Sequence, residues 1–237
     1  MNLTDHIALV AGGTGGLGRA VALEFLQTGA RVVVTYRKQP EYDSLATDAG
    51  EGKGRLFGAT LDVTDEAAAR QHVGRILAER GRLDILVNTV GGYAGGSSLW
   101  ETDAKVYNQM MELNLKAGFV LARAVLPAMI RQNRGWIVNV ASKAGYGHSA
   151  GAALYSASKA AALALFDSLA DEVKPYHINI NSVVPSIFDT PANRQAMPSA
   201  DFAKWPKPAE IARVVRFLCS DDARVIRGAA IPVYGRS

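Results

Sequence analysis

The chain is poor in the groups that metal and thiol chemistry need. Cys219 is the only cysteine in 237 residues, so no disulfide can close within it. The four histidines are scattered and offer no ligand pair at metal-binding spacing, so no metal is expected. No uninterrupted apolar run approaches the roughly 20 residues that cross a bilayer. The first residues, Met1-Asn2-Leu3-Thr4-Asp5-His6, lack the basic segment and apolar core of a signal peptide. A cytoplasmic location and no membrane partner are therefore expected. Charge of one sign is not concentrated either. The 26 Lys and Arg residues exceed the 22 Asp and Glu by enough for a net charge of +4, but they form no stripe with interleaved aromatics, so no nucleic-acid partner is expected. Repeats, low-complexity tracts and linkers are also absent.

What is present is an ordinary globular composition, 49% apolar and 20% charged, in a length that suits one domain spanning 1–237. Short β-branched runs at 7–11, 31–35, 55–60, 84–87, 136–140, 178–184 and 229–233 alternate with helical spacing at 16–28, 65–80, 103–132, 152–173 and 208–219, and more weakly at 42–49. Parallel strands need crossovers, usually helices, so this alternation predicts a doubly wound α/β fold with a seven-stranded parallel sheet. The stretch 186–207 carries Pro191, Pro198 and Pro206 without clear periodicity. Connections of that length are uncommon unless functional, and a substrate lid is expected there.

After the first strand comes Ala11-Gly12-Gly13-Thr14-Gly15-Gly16-Leu17-Gly18, turning helical from Gly16. Glycines allow close backbone approach, and the first turn of a helix presents free N–H groups to a pyrophosphate. Strand, glycine turn and helix in that order point to a dinucleotide. The end of the second strand often carries a carboxylate for the adenine ribose. Here Tyr36 stands instead, followed by Arg37 and Lys38, which suit a 2′-phosphate. NADP(H) is therefore favoured over NAD(H).

Tyr155 and Lys159 are four apart on an alanine-rich helical segment and share a face. A neighbouring ammonium would lower the tyrosine pKa and ready it for proton transfer. Ser142 lies 13 residues before Tyr155, at the carboxyl end of an apolar strand, the edge where open sheets bind ligands. Asn114 falls within the long helix preceding that strand.

The glycine turn, Asn114, Ser142, Tyr155 and Lys159, in this order and at these intervals, resemble the short-chain dehydrogenase/reductase family from end to end. The resemblance implies a Rossmann-type fold, a nicotinamide cofactor and hydride exchange with a small carbonyl or alcohol substrate. It implies that Tyr155 is the general acid for reduction, that Ser142 holds the substrate oxygen and that Lys159 binds the nicotinamide ribose. Asn114 would anchor a proton-relay water. Gly12, Thr14, Gly16, Leu17 and Gly18 would cradle the pyrophosphate, Asp62 and Val63 would meet adenine, and Asn88 and Gly91 would lie near the cofactor. Pro185, Phe188 and Thr190 would hold the carboxamide, Phe188 through its backbone N–H. Family members commonly pair through the helix carrying Tyr155 and the one before it, which implies a homodimer or homotetramer. Thr89-Val90 after Asn88 and Ser186 after Pro185 depart from the family pattern.

Two stretches, Val90 to Gly96 and Asp189 to Phe202, are similar to the dihydropteridine reductases, which makes a pterin an alternative substrate. Against it, that branch normally lacks the serine and has an acid after the second strand. A cofactor-binding regulator without turnover is the alternative of another class, and the intact Ser142, Tyr155 and Lys159 set argues against it.

Overall fold

The computed structural model describes residues 2–237. Seven strands form: β1 (Ile7–Ala11), β2 (Arg31–Tyr36), β3 (Leu56–Thr60), β4 (Ile85–Asn88), β5 (Gly135–Val140), β6 (Ile178–Pro185) and β7 (Ala230–Val233). They make one sheet, ordered β3-β2-β1-β4-β5-β6-β7, with every adjacent pair parallel. Eight helices cover its faces or edge its loops: α1 (Gly16–Gln27), α2 (Gln39–Asp48), α3 (Glu66–Arg80), α4 (Ala104–Met111), α5 (Ala117–Gln132), α6 (Ala153–Glu172), α7 (Pro191–Ala196) and α8 (Pro208–Leu218).

Alternation along β1 shows how two cores arise from one strand. Ala8 and Val10 enter a cluster with Val21, Ala22 and Phe25 of α1 and Ile211 and Val215 of α8. Ile7, Leu9 and Ala11 point the other way, to Val73 and Ile76 of α3, Leu121 and Val125 of α5 and Phe166 of α6. Burial on both faces is why these strands read as continuous apolar runs. Each such fully buried Val, Leu or Phe contributes roughly 1.5–3 kcal/mol. Local signals set the helix ends: the Asp65 carboxylate accepts the Ala68 N–H at 3.0 Å at the start of α3, and Gly81 ends that helix at φ 78°.

The structure adds detail to three readings. The helix expected over 103–132 forms as one run, Ala104–Gln132, in which a π turn at Glu112–Lys116 joins α4 to α5 and holds Asn114. The combined Ala104–Gln132 run is long and apolar enough to cross a membrane by length and composition, because Lys105, Glu112, Lys116 and Arg123 break a count of consecutive apolar residues without making the run polar. Half of its most apolar window is buried, and α5 packs against α3, β4 and β5. Finally, 186–207 is not structureless: it contains α7 and a 3₁₀ turn at Phe202–Lys204.

Because β1 and β4 are neighbours, the chain winds outward from them in both directions. A crevice opens at their carboxyl ends, the place where such sheets take ligands.

Candidate active site

The glycine turn lies at the mouth of that crevice. Gly12 adopts φ +75°, which strains any other residue, and its N–H donates to Thr35 Oγ1 at 3.0 Å. At Gly18 an added Cβ would lie 2.2 Å from the Gly12 carbonyl oxygen and 2.6 Å from Thr89 Oγ1. Leu17 is buried beneath the turn. Gly15 caps α1 without a side-chain hydrogen bond, so no side chain of the cap takes the first N–H groups of the helix. Beside the turn is a cavity of about 200 Å³ lined by Gly12, Thr14, Arg37, Asp62, Val63 and Gly91. Bare backbone at a helix N-terminus, next to a cleft of this shape, fits a dinucleotide. A wider cavity of about 430 Å³, lined by Leu163, Asp167, Asn181 and Ala230 among others, contains none of the sequence-predicted site residues.

Asp62 Oδ1 accepts the Thr64 N–H and hydroxyl at 2.9 and 2.7 Å. These bonds hold its carboxyl below the usual carboxylate range, helped by the Arg37 and Lys116 charges. Lys38 is not part of the cavity lining, and its ammonium lies 3.5 Å from Glu41. Asn88 closes the floor by donating to Asn139 Oδ1 at 3.0 Å across β4 and β5.

The residues expected to transfer a proton gather after β5 and at the start of α6. Ser142 follows β5 and its Oγ accepts the Ala144 N–H at 3.2 Å. It also lies near enough to Tyr155, at the start of α6, to favour the phenolate. Lys159 is buried, and its ammonium donates to the Val140 carbonyl at 3.2 Å. An added Cβ on Gly91 would be 3.0 Å from Lys159 Nζ and 2.9 Å from Asn114 Oδ1, so a side chain there would crowd both; Gly91 lines the cavity, whereas Ser142, Tyr155 and Lys159 do not.

The expected lowering of the Tyr155 pKa is not what the structure gives. Burial dominates and raises it, the Ser142 hydroxyl acts in the lowering direction, and the nearby Tyr93 raises it further. Burial also brings Lys159 down to about 8, because an ammonium withdrawn from water loses its hydration.

Asn114 makes more contacts than a relay role requires. Its Oδ1 accepts the Gly92 N–H at 3.0 Å, and its Nδ2 donates to the Gly92 carbonyl and to Ser158 Oγ, both at 3.0 Å. Ser158 in turn donates to the Tyr155 carbonyl at 2.7 Å. The π turn thus turns an amide inward to tie the loop after β4 to the helix of Tyr155, in keeping with the frequency of such bulges at functional sites.

Residues 186–207 reach the glycine turn: Thr190 Cγ2 lies 2.9 Å from where a Gly16 Cβ would be, and Thr190 Oγ1 caps α7 by accepting the Asn193 N–H at 3.2 Å. Asn193 Nδ2 donates to the Phe188 carbonyl at 2.8 Å, and Arg194 pairs with Asp189 at 2.5 Å. Pro185 ends β6 just before this segment. Ser186, one departure from the family pattern, donates to the Tyr234 carbonyl at 3.2 Å and meets Ser237 Oγ at 2.6 Å, tying the loop to the C-terminus. Thr89, the other, donates to the Ala11 carbonyl at 2.7 Å and the Gly12 carbonyl at 3.2 Å.

Sequence reasoning missed Ser158, Glu41 and Tyr93. Tyr93 is 67% exposed and sets its ring edge-on to Tyr155, centroids 5.0 Å apart. Glu41 lies just before the weakly periodic stretch 42–49 and carried no signal of its own.

Known proteins resemble the chain along almost its whole length. The short chain dehydrogenase family profile matches residues 6–201. The chain is 33% identical to the 3-oxoacyl-[acyl-carrier-protein] reductase FabG of Escherichia coli, covering 99% of this chain and 98% of that one. It is 34% identical to a 4-formylbenzenesulfonate dehydrogenase of Comamonas testosteroni over the same shares. Among solved structures, a putative short-chain dehydrogenase/reductase from Burkholderia xenovorans superposes with a TM-score of 0.92 at 32% identity, covering 98% and 96% of the two chains. ElxO with NADP bound gives 0.91 at 27% identity, covering 97% of each. With the family profile across most of its length and such relatives end to end, the chain belongs to the short-chain dehydrogenase/reductase family, oxidoreductases that use a nicotinamide cofactor on small molecules.

Proposed function

We propose that the protein exchanges a hydride between NADP(H), preferred over NAD(H), and a small carbonyl or alcohol substrate, with Tyr155 as acid and base. The observation that carries this is the convergence of Ser142 and Tyr155 at the carboxyl end of β5, with Lys159 buried one turn along α6 and its ammonium on the Val140 carbonyl. The bound cofactor supplies or accepts the hydride. Ser142 holds the substrate oxygen, and Tyr155 gives it a proton as a carbonyl becomes an alcohol. Burial keeps the phenol protonated at neutral pH, which suits an acid. In the reverse direction the phenol must first lose its proton, so alcohol oxidation rises with pH.

Lys159 contributes a buried cation for the ribose hydroxyls, directly behind Gly91. The Asn114 side chain holds the loop before it, and its part in a water relay falls to its backbone. Gly12 to Gly18 face the pyrophosphate, Asp62 and Val63 the adenine, and Pro185, Phe188 and Thr190 the carboxamide. Arg37 supports the phosphorylated cofactor, as does the NADP in the ElxO structure. The segment 186–207 acts as a lid, since Thr190 rests at the start of α1. Self-association follows the same reading: Met111, Leu115, Phe119 and Leu165 line a shallow apolar recess on the outer face of α4 to α6, which a second copy would cover.

Tyr155→Phe tests the chemistry. The variant is expected to bind NADPH as the parent does while reduction of any accepted carbonyl falls about 10³-fold. Equal turnover in the two would overturn the mechanism.

A further inference from the structure

Arg37 and Lys38 stand together after β2, but a carboxylate shares their corner. Glu41, in the first turn of α2, lines the same cavity as Arg37, Thr14 and Thr35. Its Oε2 accepts the Thr14 hydroxyl at 3.1 Å, and its Oε1 lies 3.5 Å from Lys38 Nζ. One carboxylate therefore bridges the glycine turn and the loop after β2, the two sides between which an adenine ribose would sit. Gln39 holds the start of α2 independently, accepting from Tyr36 Oη at 2.6 Å and donating to Asp43 at 2.8 Å. Glu41 is not needed to form that helix.

We propose that Glu41 is a specificity-determining residue that opposes the phosphorylated cofactor, holding Lys38 away from the 2′-phosphate and setting its own negative charge against it. The inference rests on the NADP(H) reading above. A 2′-phosphate carries close to two negative charges at neutral pH. To accommodate it, Glu41 must release both Thr14 and Lys38 and turn to solvent, which its half-exposed side chain permits. An unphosphorylated ribose makes no such demand, and the carboxylate can stay. Arg37 favours NADP(H), Glu41 offsets part of that preference, and the observed ratio is their difference.

The test is direct titration of the whole protein with NADPH and with NADH, without substrate, following cofactor fluorescence. Glu41→Gln keeps the side-chain shape and removes the charge. It is expected to tighten NADPH about tenfold and to move NADH less than about twofold, because only the former brings a phosphate to this corner. In a Lys38→Ala background the gain should shrink, since the released ammonium is absent; an undiminished gain would remove Lys38 from the proposal. A Glu41→Gln change that leaves NADPH affinity unaltered, or that shifts both cofactors equally, overturns the proposal. Arg37→Ala separates the two levels: unchanged NADPH binding there sinks the cofactor reading itself, whereas a loss there with no gain in Glu41→Gln sinks only the role of Glu41.

Discussion

The two sides of the crevice are built differently. On the cofactor side, backbone meets backbone: Gly12 and Gly18 leave no room for a Cβ between them, Thr35 of β2 and Thr89 just after β4 hold the turn from either side of β1, and β1 beneath is fully buried. On the side proposed for the substrate, Tyr93 and Trp100 are 67% and 87% exposed, and 186–207 is held by short helical turns and the Asp189 to Arg194 ion pair. Nicotinamide dinucleotides, with or without the 2′-phosphate, share one pyrophosphate, so the glycine cradle can be fixed by close contact. The substrate differs between members, and the groups that meet it stand on loops, which can change without disturbing a core.

If that contrast holds, the largest effect comes from crowding the cradle. Gly18→Ala puts a methyl group against the Gly12 carbonyl, which cannot move without displacing the turn. Overpacking of this kind costs about 2 kcal/mol of stability. Cofactor affinity is expected to fall about 100-fold or more, because the misplaced N–H groups are the ones aimed at the pyrophosphate. Fluorescence titration with NADPH and denaturant unfolding measure both. An Ala variant with parental affinity would show the cradle to be as forgiving as the substrate side.

Lys159 stands at the boundary, and its burial gives a smaller effect with a defined sign. Its ammonium titrates near 8 in the fold against about 10.5 in the unfolded chain, so between these values the unfolded state binds more protons. Stability then rises with pH, and below pH 8 the whole penalty of the buried charge is present. The cofactor-free parent is expected to gain about 2 kcal/mol over Lys159→Met between pH 7.5 and 9.5. Urea unfolding at the two pH values checks it, and parallel curves for parent and variant would show that the ammonium is not desolvated as placed.

The same contrast governs what could be read in advance. All seven strands were legible; β1, β2 and β4 read as runs of Val, Ile and Leu because both of their faces are buried, whereas the edge strands β3 and β7 are only partly buried. The glycine turn and the Ser142, Tyr155 and Lys159 set were legible because chemistry fixes residue type and interval together. The direction of the Tyr155 shift was not: spacing along α6 gives the lysine's proximity but not the depth at which both groups lie, and depth decided the outcome. The π turn escaped notice because Glu112 to Lys116 are ordinary helix formers, and only the pairing of Asn114 with Gly92, 22 residues away, reveals why the helix widens there. Glu41 and Tyr93 were hidden for a related reason, since each acts across a cleft on residues distant in sequence.

The smallest expected effect lies on the substrate side and bears on what the enzyme prefers. Tyr93 presents its ring edge to Tyr155 from an exposed loop, so a flat substrate whose carbonyl reaches Ser142 would lie against it. An aromatic contact of this kind is worth roughly 0.5–1.5 kcal/mol. Tyr93→Leu is therefore expected to raise KM for a planar aromatic carbonyl about fivefold, with little change for a small aliphatic one, while NADPH affinity stays at the parental value because the loop's tie through Gly92 and Asn114 is untouched. Steady-state kinetics on the two carbonyl classes, with cofactor titration alongside, measure the split. A loss shared by both substrates and by NADPH would mean that Tyr93 supports the cradle, and the two sides of the crevice would then be one structure rather than two.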